Sequence, residues 1–274
     1  MSRNSIRIHE TFICPKTGAD GPCGDRLAIG DHFVGVIDGA TPKGNFQWDG
    51  LPGDAFASLV IAEAILRLDP EIDAPAAISR INEALNRQYA LHGLDFETLP
   101  AEERLQPSVL IYSIARREIW VFGDCMFRIN GKNYQHAKKG DDLMSELRAF
   151  CFEAARLQNL DYGDRDYGRE QILPFLRMAM LFANQESPYG YDVLNGGPIH
   201  PEHVIVYSLK PGDEVVLASD GYPELFDTLA ETEEYLMRVL PEDPMCIGVL
   251  KSTKGMKPGN VSYDDRSYLR FTVE

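Results

Sequence analysis

Three aspartates, Asp38, Asp220 and Asp264, stand far apart in the chain, each where an apolar run stops or is about to start. Phe33-Val34-Gly35-Val36-Ile37 ends in Asp38-Gly39, and Glu214-Val215-Val216-Leu217-Ala218-Ser219 ends in Asp220-Gly221. Asp264-Asp265-Arg266-Ser267 leads into Tyr268-Leu269-Arg270-Phe271-Thr272-Val273. A strand end holds a side chain rigidly, and a following Gly lets the backbone turn sharply. Carboxylates presented this way suit hard divalent cations, which prefer oxygen ligands. A single Asp-Gly is ordinary turn chemistry. Three such positions in this order predict a metal site assembled from distant segments, and so a fold that brings both halves of the chain to one place.

That requirement predicts a single domain over residues 1–274, and 44% hydrophobic residues are enough to build its core. The net charge of -15 argues against non-specific nucleic-acid binding, because no counterion-releasing basic surface is evident. Residues 1–5 are followed by no apolar signal region. The best apolar run, Ala55 to Leu66, is interrupted by Glu63 and is too short to span a bilayer. Five cysteines (14, 23, 125, 151 and 246) form no Cys-x-x-Cys pair, which suits reduced thiols and a cytoplasmic location.

Ile6, Ile8 and Phe12 fit an opening strand, followed by a polar loop from Pro15 to Gly24. Leu27–Ile29 and Phe33–Ile37 read as a hairpin around Gly30-Asp31. Asp54 is placed to N-cap a helix running to about Leu68. A second helix from near Pro75 carries Ile78, Ile81, Leu85 and Tyr89 at helical spacing. After Pro107 three short strands, Val109–Tyr112, Glu118–Phe122 and Met126–Ile129, read as a meander. Leu143–Leu157 and Glu170–Phe182 form a second helix pair. Strands return at Val204–Leu209 and Glu214–Ala218, joined by Lys210-Pro211-Gly212-Asp213, and a helix at about Glu231–Leu240 precedes the last strand. Strands grouped with strands and helices grouped in pairs indicate an α+β fold of two antiparallel sheets, each covered by a helix pair.

These residues resemble the metal-dependent serine/threonine protein phosphatases of type 2C, the PPM family. The resemblance runs from about Cys23 to Val273 in family order. Its carriers are Gly24-Asp25-Arg26, Val36-Ile37-Asp38-Gly39, Pro107-Ser108-Val109 with Val121-Phe122-Gly123-Asp124, Leu217-Ala218-Ser219-Asp220-Gly221 and Asp264-Asp265-Arg266-Ser267. It implies a four-layer αββα sandwich with two Mn²⁺ or Mg²⁺ ions in a cleft at one edge. By that resemblance Asp38 bridges the ions, the Gly39 carbonyl binds one, Asp220 and Asp264 bind the other, and Asp25 acts through ordered water. A weaker third ion would correspond to Asp124 and Glu224, the latter brought near if the chain turns helical at Gly221-Tyr222-Pro223. Three carboxylates against two divalent ions leave a net positive site, which attracts a phosphate dianion. A metal-bridging water would then serve as nucleophile, and no protein nucleophile is needed.

Two departures bear on the substrate. Many family members carry a His directly after Asp-Gly, where this chain has Ala40, and an Arg upstream of the early acidic motif, where it offers only Lys16. Lys254 and Lys257, in the loop before Asp264, are candidates for the phosphate grip, against the plainer reading of solvated lysines. Val36 occupies the slot of the haloacid-dehalogenase nucleophile, which sets that family aside. His200-Pro201-Glu202-His203 lies in a loop with no other His or Cys nearby to complete a zinc site, and reads as solvated loop. The expected activity is phosphomonoester hydrolysis of phosphoserine or phosphothreonine in proteins, with any signal arriving from a partner such as a kinase. Two rivals are a phosphatase of the same fold acting on a small phosphorylated metabolite, and a non-catalytic binding module.

Overall fold

A computed structural model describes residues 5–18 and 21–274. The leader reading of residues 1–4 and two positions of the first loop, 19 and 20, lie outside the described residues. Among the described residues ten strands form two five-stranded antiparallel sheets. The first sheet has the order β1 (Ile6–Cys14), β10 (Arg266–Val273), β9 (Glu214–Ala218), β6 (Met126–Ile129) and β7 (Lys132–Gln135). The second runs β2 (Asp25–Ile29), β3 (Phe33–Asp38), β4 (Ser108–Ser113), β5 (Glu118–Phe122) and β8 (Ile205–Ser208).

Period-two alternation assigns each strand's faces. Val34, Val36, Leu110, Tyr112, Ile119 and Val121 point inward and meet Phe127, Val215, Leu217, Leu269 and Phe271 of the first sheet. Phe33, Ile37, Val109, Ile111, Trp120 and Phe122 point the other way. There they pack on α1 (Gly53–Leu66) and α2 (Ala74–Leu91) through Ile61, Ile65, Ile78, Ile81 and Leu85. Burying six large side chains per face at about 1.5–3 kcal/mol each makes both contacts strong.

The outer face of the first sheet, with Val216, Ala218 and Tyr268, is covered by Leu236 and Leu240 of α5 (Leu229–Val239) and its flank, together with Cys246, Leu250 and Tyr263 from the segment before β10. A capping box between Thr228 and Glu231 starts α5. The pair α3 (Lys139–Leu157) and α4 (Tyr167–Ala179) packs mainly on itself through Met144, Ile172 and Leu176. The layering is therefore αββα, with α3 and α4 set toward the cleft.

Three local readings need correction. The strands after Pro107 do not form one meander: β4 pairs with β5, but β6 crosses to the other sheet and pairs with β9 and β7. The crossing is made at Gly123 (φ +113°), a conformation that an L side chain rarely adopts. Likewise β8 and β9 are not partners, since β8 closes the edge beside β5 and β9 sits centrally in the first sheet. Alternation is the same in either sheet, so periodicity could not have separated these cases. Finally, Asp54 does not cap α1. Pro52 is the cap residue, and Asp54 lies inside the first turn with Oδ1 accepting the Ala55 amide at 2.9 Å.

Candidate metal and phosphate cleft

Antiparallel order brings the site together at one end of both sheets. In the second sheet Asp25 opens β2 directly opposite Asp38 at the end of β3, and Asp38 is also opposite Ser108 at the start of β4. Asp124 follows β5, Asp220 follows β9, and Asp264 precedes β10. These ends border a cleft of about 660 Å³ whose lining includes Asp38, Gly39, Asp124, Asp220 and Asp264.

The glycines of the two Asp-Gly pairs act by their lack of a side chain. Neither has a positive φ. A Cβ on Gly39 would lie 2.4 Å from the Asp54 carbonyl oxygen, and one on Gly221 would lie 1.9 Å from that of Asp265. Only glycine lets these backbones approach: Gly39 lets the end of β3 close on the start of α1, and Gly221 lets the end of β9 close on the segment leading into β10.

The carboxylates divide by their partners. Asp25 is buried and its Oδ2 has no hydrogen-bond partner. The Asp220 amide donates to Asp38 Oδ2 at 3.3 Å. Among the described residues neither Asp25, Asp38 nor Asp220 has a Lys or Arg within ion-pair distance. All three carboxyls are held well above the usual carboxylate range, first by burial and then by one another and neighbouring aspartates. Asp264 and Asp124 behave oppositely. Asp264 pairs with Lys254 through Oδ2 and lies 3.6 Å from Lys16 through Oδ1. Asp124 Oδ1 accepts the Ser108 hydroxyl at 2.6 Å, and its Oδ2 is 2.9 Å from Lys138 Nζ. Burial raises both, but these lysines outweigh it and hold both below the usual range.

An unpartnered buried oxygen and three recessed carboxylates without a counter-charge fit a hard, oxygen-seeking divalent cation. The same cleft carries Lys43, Lys138, Arg169 and Lys254, with Asp141 among them. Lys43 Nζ donates only to the Thr41 carbonyl at 2.6 Å and makes no ion pair among the described residues. Burial, then the charges of Arg169 and Lys254, lower it to about 7. Arg169 donates to the Thr253 carbonyl at 2.8 Å, and Lys254 also donates to Thr41 Oγ1 at 2.8 Å.

Several sequence-based expectations fall elsewhere. Lys254 is in the cleft, whereas Lys257 is exposed and outside its lining, so it is not part of the grip. Glu224 is exposed, accepts from the Asn133 side-chain amide, and is not in the cleft lining either. No helix forms at Gly221-Tyr222-Pro223, so Glu224 is not turned toward Asp124, whose charge Lys138 neutralises instead. Asp265, beside the cleft aspartate Asp264, is buried, accepts the Lys16 amide at 2.7 Å and the Gly24 amide at 3.0 Å, and ties the early loop to β10. Lys43, Lys138 and Arg169 were missed, because lone basic residues in loops and helix starts carry no local pattern.

No family model and no curated protein matches the sequence. Solved structures do. The catalytic domain of the serine/threonine protein phosphatase PstP, in complex with two manganese ions, is 14% identical with a TM-score of 0.51, over 98% of this chain and 99% of that one. The Mycobacterium tuberculosis serine/threonine phosphatase PstP/Ppp is 16% identical with a TM-score of 0.48, over 99% and 98%. The first comparison places the chain in the αββα sandwich fold of the type 2C phosphatases, as the motif order implies.

Proposed function

We propose that this chain, built on the type 2C phosphatase fold, is a divalent-cation-dependent phosphomonoester hydrolase acting on phosphoserine or phosphothreonine in proteins. The observation that carries the reading is a counter-charge-deficient carboxylate group (Asp25, Asp38 and Asp220) in one cleft with Lys43 and Arg169, which make no ion pair among the described residues. Asp38, Asp220 and the Gly39 carbonyl would hold Mn²⁺ or Mg²⁺, with Asp25 behind them. Asp264 joins them once Lys254 leaves it. Divalent cations bound there supply Lewis-acid activation of water and neutralise phosphate charge.

The chain's own residues do the rest. Lys43, Arg169 and the released Lys254 bind and orient the phosphate, taking over from the Arg that the early motif lacks. Lys43 Nζ, lowered to about 7, keeps a proton for part of the population at neutral pH, close to the place vacated by the His that Ala40 replaces. Lys138 holds Asp124 in its ionised form. Beside these groups the cleft lining includes Leu143, Phe175, Met178 and Val249, which are 52%, 44%, 49% and 76% exposed. An apolar rim next to a phosphate grip favours a polypeptide substrate over a small polar metabolite.

Among the described residues no helix is long and apolar enough to cross a membrane. A cytoplasmic setting and a partner kinase that supplies the phosphoprotein complete the proposal.

The test is hydrolysis of p-nitrophenyl phosphate and of a phosphothreonine peptide with Mn²⁺, Mg²⁺ or chelator. Metal-dependent turnover of both, abolished by Asp38→Asn, is the expected result. Turnover of the aryl phosphate alone would move the substrate to a metabolite, and none with either metal would leave a binding module.

A further inference from the structure

The loop between α4 and β8 places three residues with metal-ligating side chains together, outside the residues assigned to the cleft chemistry. Donor atoms of Glu186, His200 and His203 all lie within 4.8 Å of one another, so a carboxylate from outside their own turn stands close enough to share an ion with the two histidines. A short 3₁₀ turn, Pro201–His203, brings the imidazoles side by side, with ring centroids 4.9 Å apart. The loop's base is clamped by Asn184. Its amide donates to the Tyr191 carbonyl at 2.8 Å, its side-chain Nδ2 to the Val193 carbonyl at 3.0 Å, and its Oδ1 accepts the Val193 amide at 2.9 Å.

The surroundings suit a cation as well. Asp192 Oδ1 is 3.1 Å from His203 Nδ1, and Glu202 Oε1 faces His200 Nδ1 at 3.6 Å. The Asp192 carboxylate at hydrogen-bond distance from Nδ1 favours the tautomer of His203 that leaves its Nε2 as the lone-pair donor, the arrangement that supports metal-ligating histidines. Among the described residues Glu186 makes no ion pair with a Lys or Arg, so its charge is available.

We infer that Glu186, His200 and His203 form a binding site for a borderline transition-metal cation of the Zn²⁺ class, with solvent as the fourth ligand. Two imidazoles and one carboxylate match zinc's ligand preferences, whereas the oxygen-only cleft suits Mg²⁺ or Mn²⁺. The segment that the ion would close, 186–200, carries Tyr189 and Tyr191, both on the cleft wall. Tyr191 donates to Gln106 Oε1 at 2.8 Å, and Lys138 Nζ lies 5.2 Å from its ring. Zinc there would brace that wall from behind.

The experiment is calorimetric titration of Zn²⁺ into protein held in saturating Mg²⁺, which occupies oxygen-only sites. One equivalent should bind to wild type and to Asp38→Asn alike. His200→Ala and His203→Ala should lose it, and Asp192→Asn should weaken it about 10–100-fold. X-ray absorption of the one-to-one complex should show two imidazoles. His203→Gln, with its melting curve compared to wild type, guards against misfolding. Undiminished binding in His203→Ala and His203→Gln, loss in Asp38→Asn, or no binding to wild type would each overturn the assignment.

Discussion

Without metal, the cleft should make the protein less stable as pH rises, and Asp38→Asn should relieve this. Asp25, Asp38 and Asp220 all have raised folded-state values. In the unfolded chain such groups ionise near pH 3.9, so above that pH the folded state binds more protons and stability falls as pH increases. Asp124 and Asp264 are lowered and act in the opposite sense, but only below the unfolded value, so the two effects occupy separate windows. Each raised carboxyl contributes at most about 1.4 kcal/mol per pH unit. Removing one should recover up to about 2.7 kcal/mol between roughly pH 5 and pH 7. For a chain of this size that is a rise of roughly 5–10 °C in melting temperature. The slope should not vanish, because Asp25, Asp220, Asp54 and Asp141 remain raised. Saturating Mn²⁺, at about 100 times its dissociation constant, should restore about 2.7 kcal/mol to wild type and little to Asp38→Asn. The assay is thermal melting in chelator across this range, repeated with Mn²⁺. Parallel pH profiles for wild type and variant, or equal stabilisation of both by Mn²⁺, would refute the reasoning.

Lys43→Gln should raise KM for a phosphothreonine peptide roughly tenfold, a loss of about 1.4 kcal/mol of binding, while raising the melting temperature; steady-state kinetics and a melt on the same sample check both signs. Gly221→Ala drives a Cβ into the Asp265 carbonyl at 1.9 Å and should cost about 1–3 kcal/mol, read by urea denaturation. Arg148 is fully buried, binds both Asp166 oxygens at 3.0 and 2.8 Å, and donates to the Cys246 and Ser252 carbonyls. Arg148→Met strands the Asp166 charge and should cost about 3–5 kcal/mol. The Gly255 amide donates to that same carboxylate, so the loop carrying Lys254 should also gain protease sensitivity.

Strand positions and the carboxylates at their ends were legible because alternation and Asp-Gly are local signals, except for β7 (Lys132–Gln135), a short polar edge strand that carries no apolar alternation. Which strand each one pairs with was not, and β6 shows why: Met126 and Phe127 would alternate equally well beside β5 or beside β9. Ion-pair partners were equally hidden. Lys138 meets Asp124 and Lys254 meets Asp264 only because the helices and loops fold over the cleft. Asp265 adjoins Asp264 in sequence, yet its neighbours are the Lys16 and Gly24 amides, which no spacing rule connects to it. His200 and His203 were visible as a pair, but Glu186 reaches them through the return of the loop after α4.

Asp38 belongs to one sheet and Asp220 to the other, and the contact between them closes a very long loop of chain. Such a contact forms only after each sheet has ordered and the two have met face to face, so the cleft is a late product of folding. A cation gripping both residues works as a bolt across the sandwich, fastened after the parts are in place. It should leave the refolding rate almost untouched and slow unfolding, since interactions absent from the transition state lower only the escape rate. In a cell, the ion would lengthen the lifetime of the finished molecule without helping it to form.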